Sequence, residues 1–226
     1  MSINVNLKAN DYGATPAEAD LRSLLGGLVQ ADWRQALIAR GFGWNVTVGA
    51  FGTPITGGGA GTVIDLDQPE FIVSVPSGYA CIPFDIRIAC RPGLQTTDSH
   101  VSDILLAVDR TQAWAADGTA TTETPRNLRT NITTACPLAV ASAFTADTTD
   151  PVLDIELGAA TKLTDVQGTA ATVNLMDLVL HYQPDNPPFI IGPAMVVGYW
   201  GGSIAVTGFA QINFIAIPSS LVSALA

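Results

Sequence analysis

The sequence predicts an all-β protein: a jelly-roll-like β-sandwich of about eight to ten strands, preceded by an N-terminal arm that contains a short helix. Three observations lead to this fold. From residue 62 onward, apolar residues recur with a period of two. Clusters of Pro, Gly, Asp and Thr separate the alternating segments. A length of 226 residues suits a single sandwich. We therefore assign residues 1–61 to an arm with a Gly-rich linker, and residues 62–226 to the sandwich domain.

The arm begins with a helical pattern. Thr15, Pro16 and Glu18 match a capping box, in which the threonine caps the helix and the glutamate reaches back to the cap amide. Leucines follow at helical spacing, namely Leu21, Leu24, Leu25 and Leu28. A second short helix is predicted within "QADWRQALIARG" (residues 30–41), with Gly41 as its C-terminal stop.

The rest of the arm is rich in glycine. The run "GGGAG" at residues 57–61 lacks the Lys-Ser/Thr that a phosphate-binding P-loop requires. We therefore interpret it as a flexible linker that gives the arm reach.

Three segments alternate clearly enough to assign their two faces. In "CIPFDIRIACRP" the predicted inner face is Ile82, Phe84, Ile86, Ile88 and Cys90, and the outer face is Pro83, Asp85, Arg87 and Arg91. In "EFIVSVP" the corresponding sets are Phe71, Val73 and Val75 against Glu70, Ile72 and Ser74. In "VLDIELG" they are Leu153, Ile155 and Leu157 against Asp154 and Glu156.

Further strands are predicted at residues 102–110, 128–134, 138–144, 172–182, 189–200 and 204–217. The small-residue segment 111–125, which contains Trp114 and Asp117-Gly118, is predicted to be an exposed loop.

The C-terminal part of the chain carries no charged side chain after Asp185. A membrane helix is not expected there, because Pro193 and several glycines and amides interrupt the apolar run. Gly201-Gly202 instead predicts a tight turn that joins two strands as a β-hairpin. Uncharged faces that carry aromatic residues are typical of interface cores. The predicted subunit interface comprises Tyr199, Trp200, Phe209, Gln211 and Asn213; the alternative is a central strand buried on both faces within one subunit.

The composition makes several functions improbable. The net charge is −10, and no cluster of Lys and Arg is present, so we expect no direct contact with nucleic acid. The polar start "MSINVNLKAND" does not resemble a signal peptide, and no membrane association is expected. Cys81, Cys90 and Cys136 are widely spaced, and we expect buried thiols rather than a disulfide.

No motif for catalysis is present, so we expect structure or binding rather than enzyme activity, with no cofactor and no metal site; an enzyme on a jelly-roll scaffold is the third alternative. His100 lies in a polar segment and is expected to be solvated, whereas His181 ends a predicted strand. No HxH pair that could supply a cupin metal site occurs, and no GxSxG elbow occurs. A calcium site in the acidic loop of Asp147 and Asp150 stays open as an alternative to a solvated loop.

The segment "GYWGGSIAVTGFAQINFIAIP" (residues 198–218), following an arm and a jelly-roll-like body, resembles the trimeric jelly-roll proteins of tailed-phage virions, especially capsid decoration (cement) proteins. The resemblance implies a homotrimer on the outer capsid surface, a partner lattice of major capsid protein, and an arm that grips the shell. The arm residues expected at that contact are Leu21, Leu24, Leu25, Leu28 and Trp33.

The last strands also resemble the TNF-like trimer fold. The alternative function is therefore a trimeric receptor- or glycan-binding module, such as a fibre head, with the Trp114 loop as its binding surface.

Overall fold

The protein is a sandwich of two antiparallel β-sheets. The computed structural model describes residues 33–58, 64–92, 100–111, 120–145, 152–164, 177–202 and 205–223. Two short helices are present in these residues, α1 (Trp33–Ala39) and α2 (Ser219–Ser223). The strands are β1 (Gly43–Val48), β2 (Ile55–Thr56), β3 (Phe71–Val75), β4 (Tyr79–Arg91), β5 (His100–Asp109), β6 (Thr121–Glu123), β7 (Arg126–Asn127), β8 (Ala139–Ser142), β9 (Leu153–Thr164), β10 (Leu178–Tyr182), β11 (Ile190–Ile191), β12 (Ala194–Gly202) and β13 (Thr207–Pro218).

Sheet A has the strand order β10-β4-β13-β1-β7, with β11 paired to β4 and β2 paired to β13. Sheet B has the order β6-β8-β3-β12-β5-β9. The main core lies between the two sheets and includes Trp44, Phe71, Ile86, Trp200 and Phe214. The predicted all-β sandwich is confirmed, as expected for strands that bury one face against a second sheet.

The outer face of sheet B is covered by a second apolar cluster. Ile72, Val197 and Tyr199 belong to it, and the segment that contains Leu66 packs over them. The Tyr199 hydroxyl donates a hydrogen bond to the Leu66 carbonyl oxygen at 3.1 Å. Ile72 and Glu70 are buried, so the prediction of a solvated outer face on β3 is wrong. The alternation of β3 was read correctly, but the chain covers both of its faces.

The outer face of sheet A is covered at one end by the helices. Leu37 and Ile38 of α1 pack, with Val222 of α2, against a third cluster that contains Ile82 and Ile215. Helix α1 ends in a Schellman motif: Gly41 has φ 87°, its N–H binds the Ile38 carbonyl, and the Phe42 N–H binds the Leu37 carbonyl. The predicted stop at Gly41 is therefore confirmed.

A β-bulge corrects the predicted faces of β4. Asp85 pairs with Asn213, but Pro83 pairs with the next residue, Phe214, so Phe84 is the extra residue. After the bulge, Ile86 faces the main core as predicted. Before it, Ile82 and Phe84 belong to the outer cluster under the helices, and Cys81 is the residue that faces the core.

The predicted C-terminal hairpin is wrong. Strand β12 pairs with β3 and β5 in sheet B, whereas β13 pairs with β1, β2 and β4 in sheet A. The chain thus crosses from one sheet to the other. Gly201 and Gly202 are part of β12, and the backbone packs closely against them: a Cβ at Gly202 would overlap the Val101 carbonyl oxygen. Close packing, and not a turn, requires these glycines.

The sandwich begins well before residue 62. Strand β1 lies between β13 and β7, so the predicted boundary at residues 61 and 62 falls inside the fold. Gly57 and Gly58 are also packed: the Gly57 N–H donates to the Val206 carbonyl oxygen, and a Cβ at Gly57 would overlap the Trp200 carbonyl oxygen. The flexible-linker interpretation is wrong for these two residues.

The remaining strand predictions had mixed outcomes. Residues 128–134 form turns and not a strand. The segment 189–200 is divided into β11 and β12, and the predicted loop 111–125 contains β6. Two register shifts interrupt β9 opposite β5, and Ile155 is 38% exposed instead of buried. The predictions for Thr15, Pro16, Glu18, Leu21, Leu24, Leu25, Leu28, Trp114, Asp147 and Asp150 lie outside the described residues.

Candidate functional site

The candidate site is the part of sheet A that no described element covers. Strands β10, β4, β13, β1 and β7 place two rows of mainly polar side chains there, each residue directly opposite its neighbour. We call these two rows the open face: Asp85, Asn213, Asn45 and Arg126 in one row, and His181, Arg87, Gln211 and Thr47 in the other. Alternation fixes their direction, because the residues between them on each strand point into the core.

A chain of hydrogen bonds crosses the open face through four strands. The Asn45 amide donates to Asn213 Oδ1 at 2.8 Å, and the Asn213 amide donates to Asp85 Oδ2 at 3.1 Å. The other carboxylate oxygen, Asp85 Oδ1, lies 2.9 Å from His181 Nε2. Both oxygens of Asp85 are therefore engaged, and the network fixes the relative positions of these four side chains.

Arg87 and Gln211 form the centre of the second row. They lie directly opposite each other on β4 and β13, and both are exposed. Within the described part of the chain, neither side chain has a hydrogen-bond or ion-pair partner. They line an open depression of about 320 Å³ together with Asp85, Val179, His181 and Asn213.

The open face and its border are locally cationic in an acidic chain. Arg87 and Arg126 belong to the open face, and Arg91 follows Arg87 on the same side of β4. Asp85 is the carboxylate of the open face, and its two oxygens already have partners. Asp177, which precedes β10 at the border near Arg91, pairs with Lys162. Three of the 10 Lys and Arg residues in a chain of net charge −10 thus border one face. Such a charge distribution attracts anions locally.

An aromatic end adjoins the open face. The rings of Phe209 and Phe51 meet edge to face with centroids 6.4 Å apart, and the Arg91 guanidinium lies 5.4 Å from the centre of the Phe51 ring. Phe51 is 67% exposed at the tip of a turn between β1 and β2. We call Phe51 and Phe209 the aromatic end.

The predicted subunit interface is only partly available to a second chain. Tyr199 and Trp200 are fully buried in one chain, on opposite faces of sheet B, so they have no surface to offer a partner. Their inclusion in the interface is therefore wrong. Phe209, Gln211 and Asn213 lie at or beside the open face, and their assignment stays a prediction.

Sequence reasoning missed the charged neighbours of these three residues. The alternation of β4 already placed Asp85 and Arg87 on an outer face. The pairing of β4 with β13 and β10, which brings them beside Gln211 and His181, is not encoded in any local pattern. The predicted absence of charge is true of the outer face of β13, but the strand beside it, β4, carries Asp85 and Arg87 on the same face.

A buried carboxylate ties the glycine-rich segment to the sandwich. Glu70 Oε1 accepts the Gly58 N–H at 2.6 Å, and Glu70 Oε2 accepts the Trp200 N–H at 2.7 Å. Burial raises the pKa of the Glu70 carboxyl well above its ordinary value; the two N–H groups oppose this shift, and Asp65 adds to it. The sequence offered no sign of this role, because Glu70 read as a solvated residue.

The thiols and His100 occupy structural positions. All three cysteines are free; Cys81 and Cys90 are buried as predicted, whereas Cys136 is half-buried. Burial raises the pKa of the Cys81 and Cys90 thiols far above the usual range and that of Cys136 to about 11, so all three are poor nucleophiles. His100 is buried at the start of β5, which contradicts its predicted solvation.

The side chains that line the depression can form hydrogen bonds and ion pairs. The Asp85 carboxylate could orient the His181 imidazole. The side chains that line the depression include no hydroxyl or thiol nucleophile for that imidazole to activate. Among the described residues, no three His, Cys, Asp or Glu side chains are grouped so that they could hold a metal ion.

Comparisons with protein-family models, curated proteins and solved structures found no match to this chain. In the part of the chain that the structure describes, neither helix has the length and apolar character needed to span a bilayer.

Proposed function

We propose that the chain is a structural protein of a virion: a capsid decoration (cement) or minor capsid protein that stabilises the shell through its N-terminal arm and a trimeric β body. The observation that carries the proposal is the aromatic end, where Phe51 is 67% exposed next to Phe209 of β13. Exposed aromatic residues beside polar ones are characteristic of protein contacts.

In this proposal the arm binds the shell, and a separate surface of the β body mediates self-association. Helix α1 packs on the sandwich through Leu37 and Ile38, whereas Trp33 at its start is 37% exposed. Residues 1–32 precede that point. We propose that Trp33 and the arm leucines contact the major capsid protein lattice, while the aromatic end contacts the neighbouring subunit. Repeating each weak contact in a trimer would strengthen attachment through avidity.

The solution mass of the full-length chain, measured by light scattering, tests self-association. We expect a trimer, and we expect Phe51→Ser to lower the mean mass at limiting concentration. Burying a phenylalanine contributes about 1.5–3 kcal/mol, so each contact should weaken by about tenfold or more. Phe189→Ser is the matched control, because Phe189 is 51% exposed at a different place. A monomeric wild-type chain would contradict the trimer.

Particles made by the genome that encodes the chain test the location. We expect mass spectrometry of purified particles to detect the chain, and antibodies against it to label intact particles on their outer surface. Its absence from particles, with abundant free chain in the same lysate, would overturn the virion assignment.

A receptor- or glycan-binding module is the second candidate function. The observation that favours it is the pair Arg87 and Gln211, whose side chains line the depression without partners in the described part of the chain. Trp114, whose loop was the predicted binding surface, lies outside the described residues.

A further inference from the structure

We propose that the open face binds a carboxylate-bearing saccharide, with Arg87 paired to the carboxylate and the amide of Gln211 bound to its hydroxyls. This inference gives the second candidate function a place and a ligand class. It does not depend on the virion assignment.

The position of Arg87 identifies the charged group of the ligand. Arg87 is exposed, lines the depression and has no ion-pair partner among the described residues. The nearest carboxylate on the open face, that of Asp85, is occupied by Asn213 and His181. A guanidinium presents parallel N–H donors that fit a carboxylate in a bidentate arrangement. A ligand carboxylate would supply what the chain itself does not.

The arginines in and around the open face favour an anionic ligand there over other parts of the surface. A carboxylate is repelled by a chain of net charge −10, but near the open face it meets Arg87, Arg91 and Arg126. The local field therefore directs an anionic ligand to this part of the surface.

The other side chains indicate a saccharide. Gln211 carries an amide that can donate to and accept from hydroxyl groups, Asn213 beside it has one amide hydrogen beyond the one given to Asp85, and Val179 supplies one apolar wall. The volume of about 320 Å³ lies at the lower end of the range for ligand pockets and suits one or two sugar rings. An acidic peptide fits less well, because β4 and β13 are paired on both sides and offer no free edge for strand addition.

Calorimetric titration of the full-length chain with trigalacturonate tests the proposal. We expect saturable binding at low salt that weakens as salt is added. Galactotriose, which lacks the carboxylates, should bind at least about tenfold more weakly, and so should acetate, which lacks the hydroxyls. Equal binding of acetate would overturn the saccharide assignment, because the face would then recognise any small anion. No binding of trigalacturonate would overturn the proposal as a whole.

Variants locate the site. Arg87→Gln should weaken trigalacturonate binding by about tenfold or more, and Arg87→Lys should recover only part of the loss, because lysine lacks the bidentate geometry. Arg110→Gln is the matched control: it removes the same charge from an exposed arginine that pairs with Asp154 on sheet B. Equal losses in both variants would overturn the assignment to the open face. These titrations use isolated chain, so their failure leaves the particle experiment unaffected.

Discussion

Replacing Glu70 with glutamine tests whether the buried carboxylate holds the sandwich to its glycine-rich segment. Each carboxyl oxygen accepts one backbone N–H, from Gly58 and Trp200 respectively, and when the raised pKa keeps the group protonated its hydroxyl oxygen still has a lone pair for one of them. Glutamine keeps the volume and one acceptor, but it points an NH₂ group at the other N–H. One buried donor is then left without an acceptor, which costs about 1–3 kcal/mol. We expect the free energy of unfolding to fall by that amount.

Urea unfolding at about pH 4.5, followed by tryptophan fluorescence, gives this free energy when the slope with urea is unchanged. The matched control is Glu123→Gln. Its carboxylate accepts a single hydroxyl hydrogen bond, from Ser142, on the edge strand β6. We expect the control to cost less than half as much. A Glu70→Gln variant as stable as wild type would show that the two N–H contacts contribute nothing to the fold.

The same pair of proteins reveals the direction of the pKa shift. Because burial raises the pKa of Glu70 above its ordinary value of 4.5, the folded state holds the proton more tightly than the unfolded state. The stability that this proton contributes is fully present below the ordinary pKa and is lost as pH rises through the raised one. Glutamine does not titrate, so the gap between wild type and variant should narrow with increasing pH. A gap that widens would mean that the N–H groups outweigh burial.

Three further predictions concern packing and reactivity. Gly57→Ala should lower the free energy of unfolding by about 3 kcal/mol or prevent folding, because the new Cβ would overlap the Trp200 carbonyl oxygen. The control Gly52→Ala, at a glycine with open space around it, should change the free energy of unfolding by less than about 0.5 kcal/mol. Trp200→Phe should lower the free energy of unfolding by about 2–4 kcal/mol, because it removes core volume and the hydrogen bond from the indole N–H to the Ile55 carbonyl oxygen. A Tm within error of that of the wild type would contradict this expectation. At about pH 8, a thiol reagent should label Cys81 and Cys90 of the native chain only as fast as the chain unfolds, and should label Cys136 slowly. All three thiols should react at once in urea. Rapid labelling of the native chain would show that burial does not protect the thiols.

Local patterns were sufficient where one residue decides a local structure. The stop of α1 at Gly41 follows from the need for a positive φ at a helix end, which glycine meets at no steric cost. The inner faces of β3 and of the second half of β4 follow from alternation, because a half-buried strand must separate its two sets of side chains.

Contacts between distant segments were beyond these patterns. A bulge at Phe84 exchanges the two faces of β4 without any change in the apolar sequence around it. The glycines of β12 were read as a turn, because glycine permits both positive φ and close packing, and sequence does not distinguish the two uses. Glu70 looked solvated, because the segment that buries it is brought over it only by the fold.

The absence of charge in the C-terminal stretch now has a structural cause within one chain. Strand β12 is central in sheet B and buried on both faces, so any charge on it would be desolvated without a partner. Strand β13 is central in sheet A: its inner face lies in the core, and the end of its outer face lies under α1 and α2. What remains of β13 on the surface, including Gln211 and Asn213, lies between the charged residues Arg87 and Asp85 of β4 and the uncharged residues Thr47 and Asn45 of β1. Because the fold of one chain explains the uncharged sequence, that sequence is weak support for a subunit interface. The argument for ligand binding rests on the neighbouring strand β4, where Arg87 lies at the surface without a partner in the described chain.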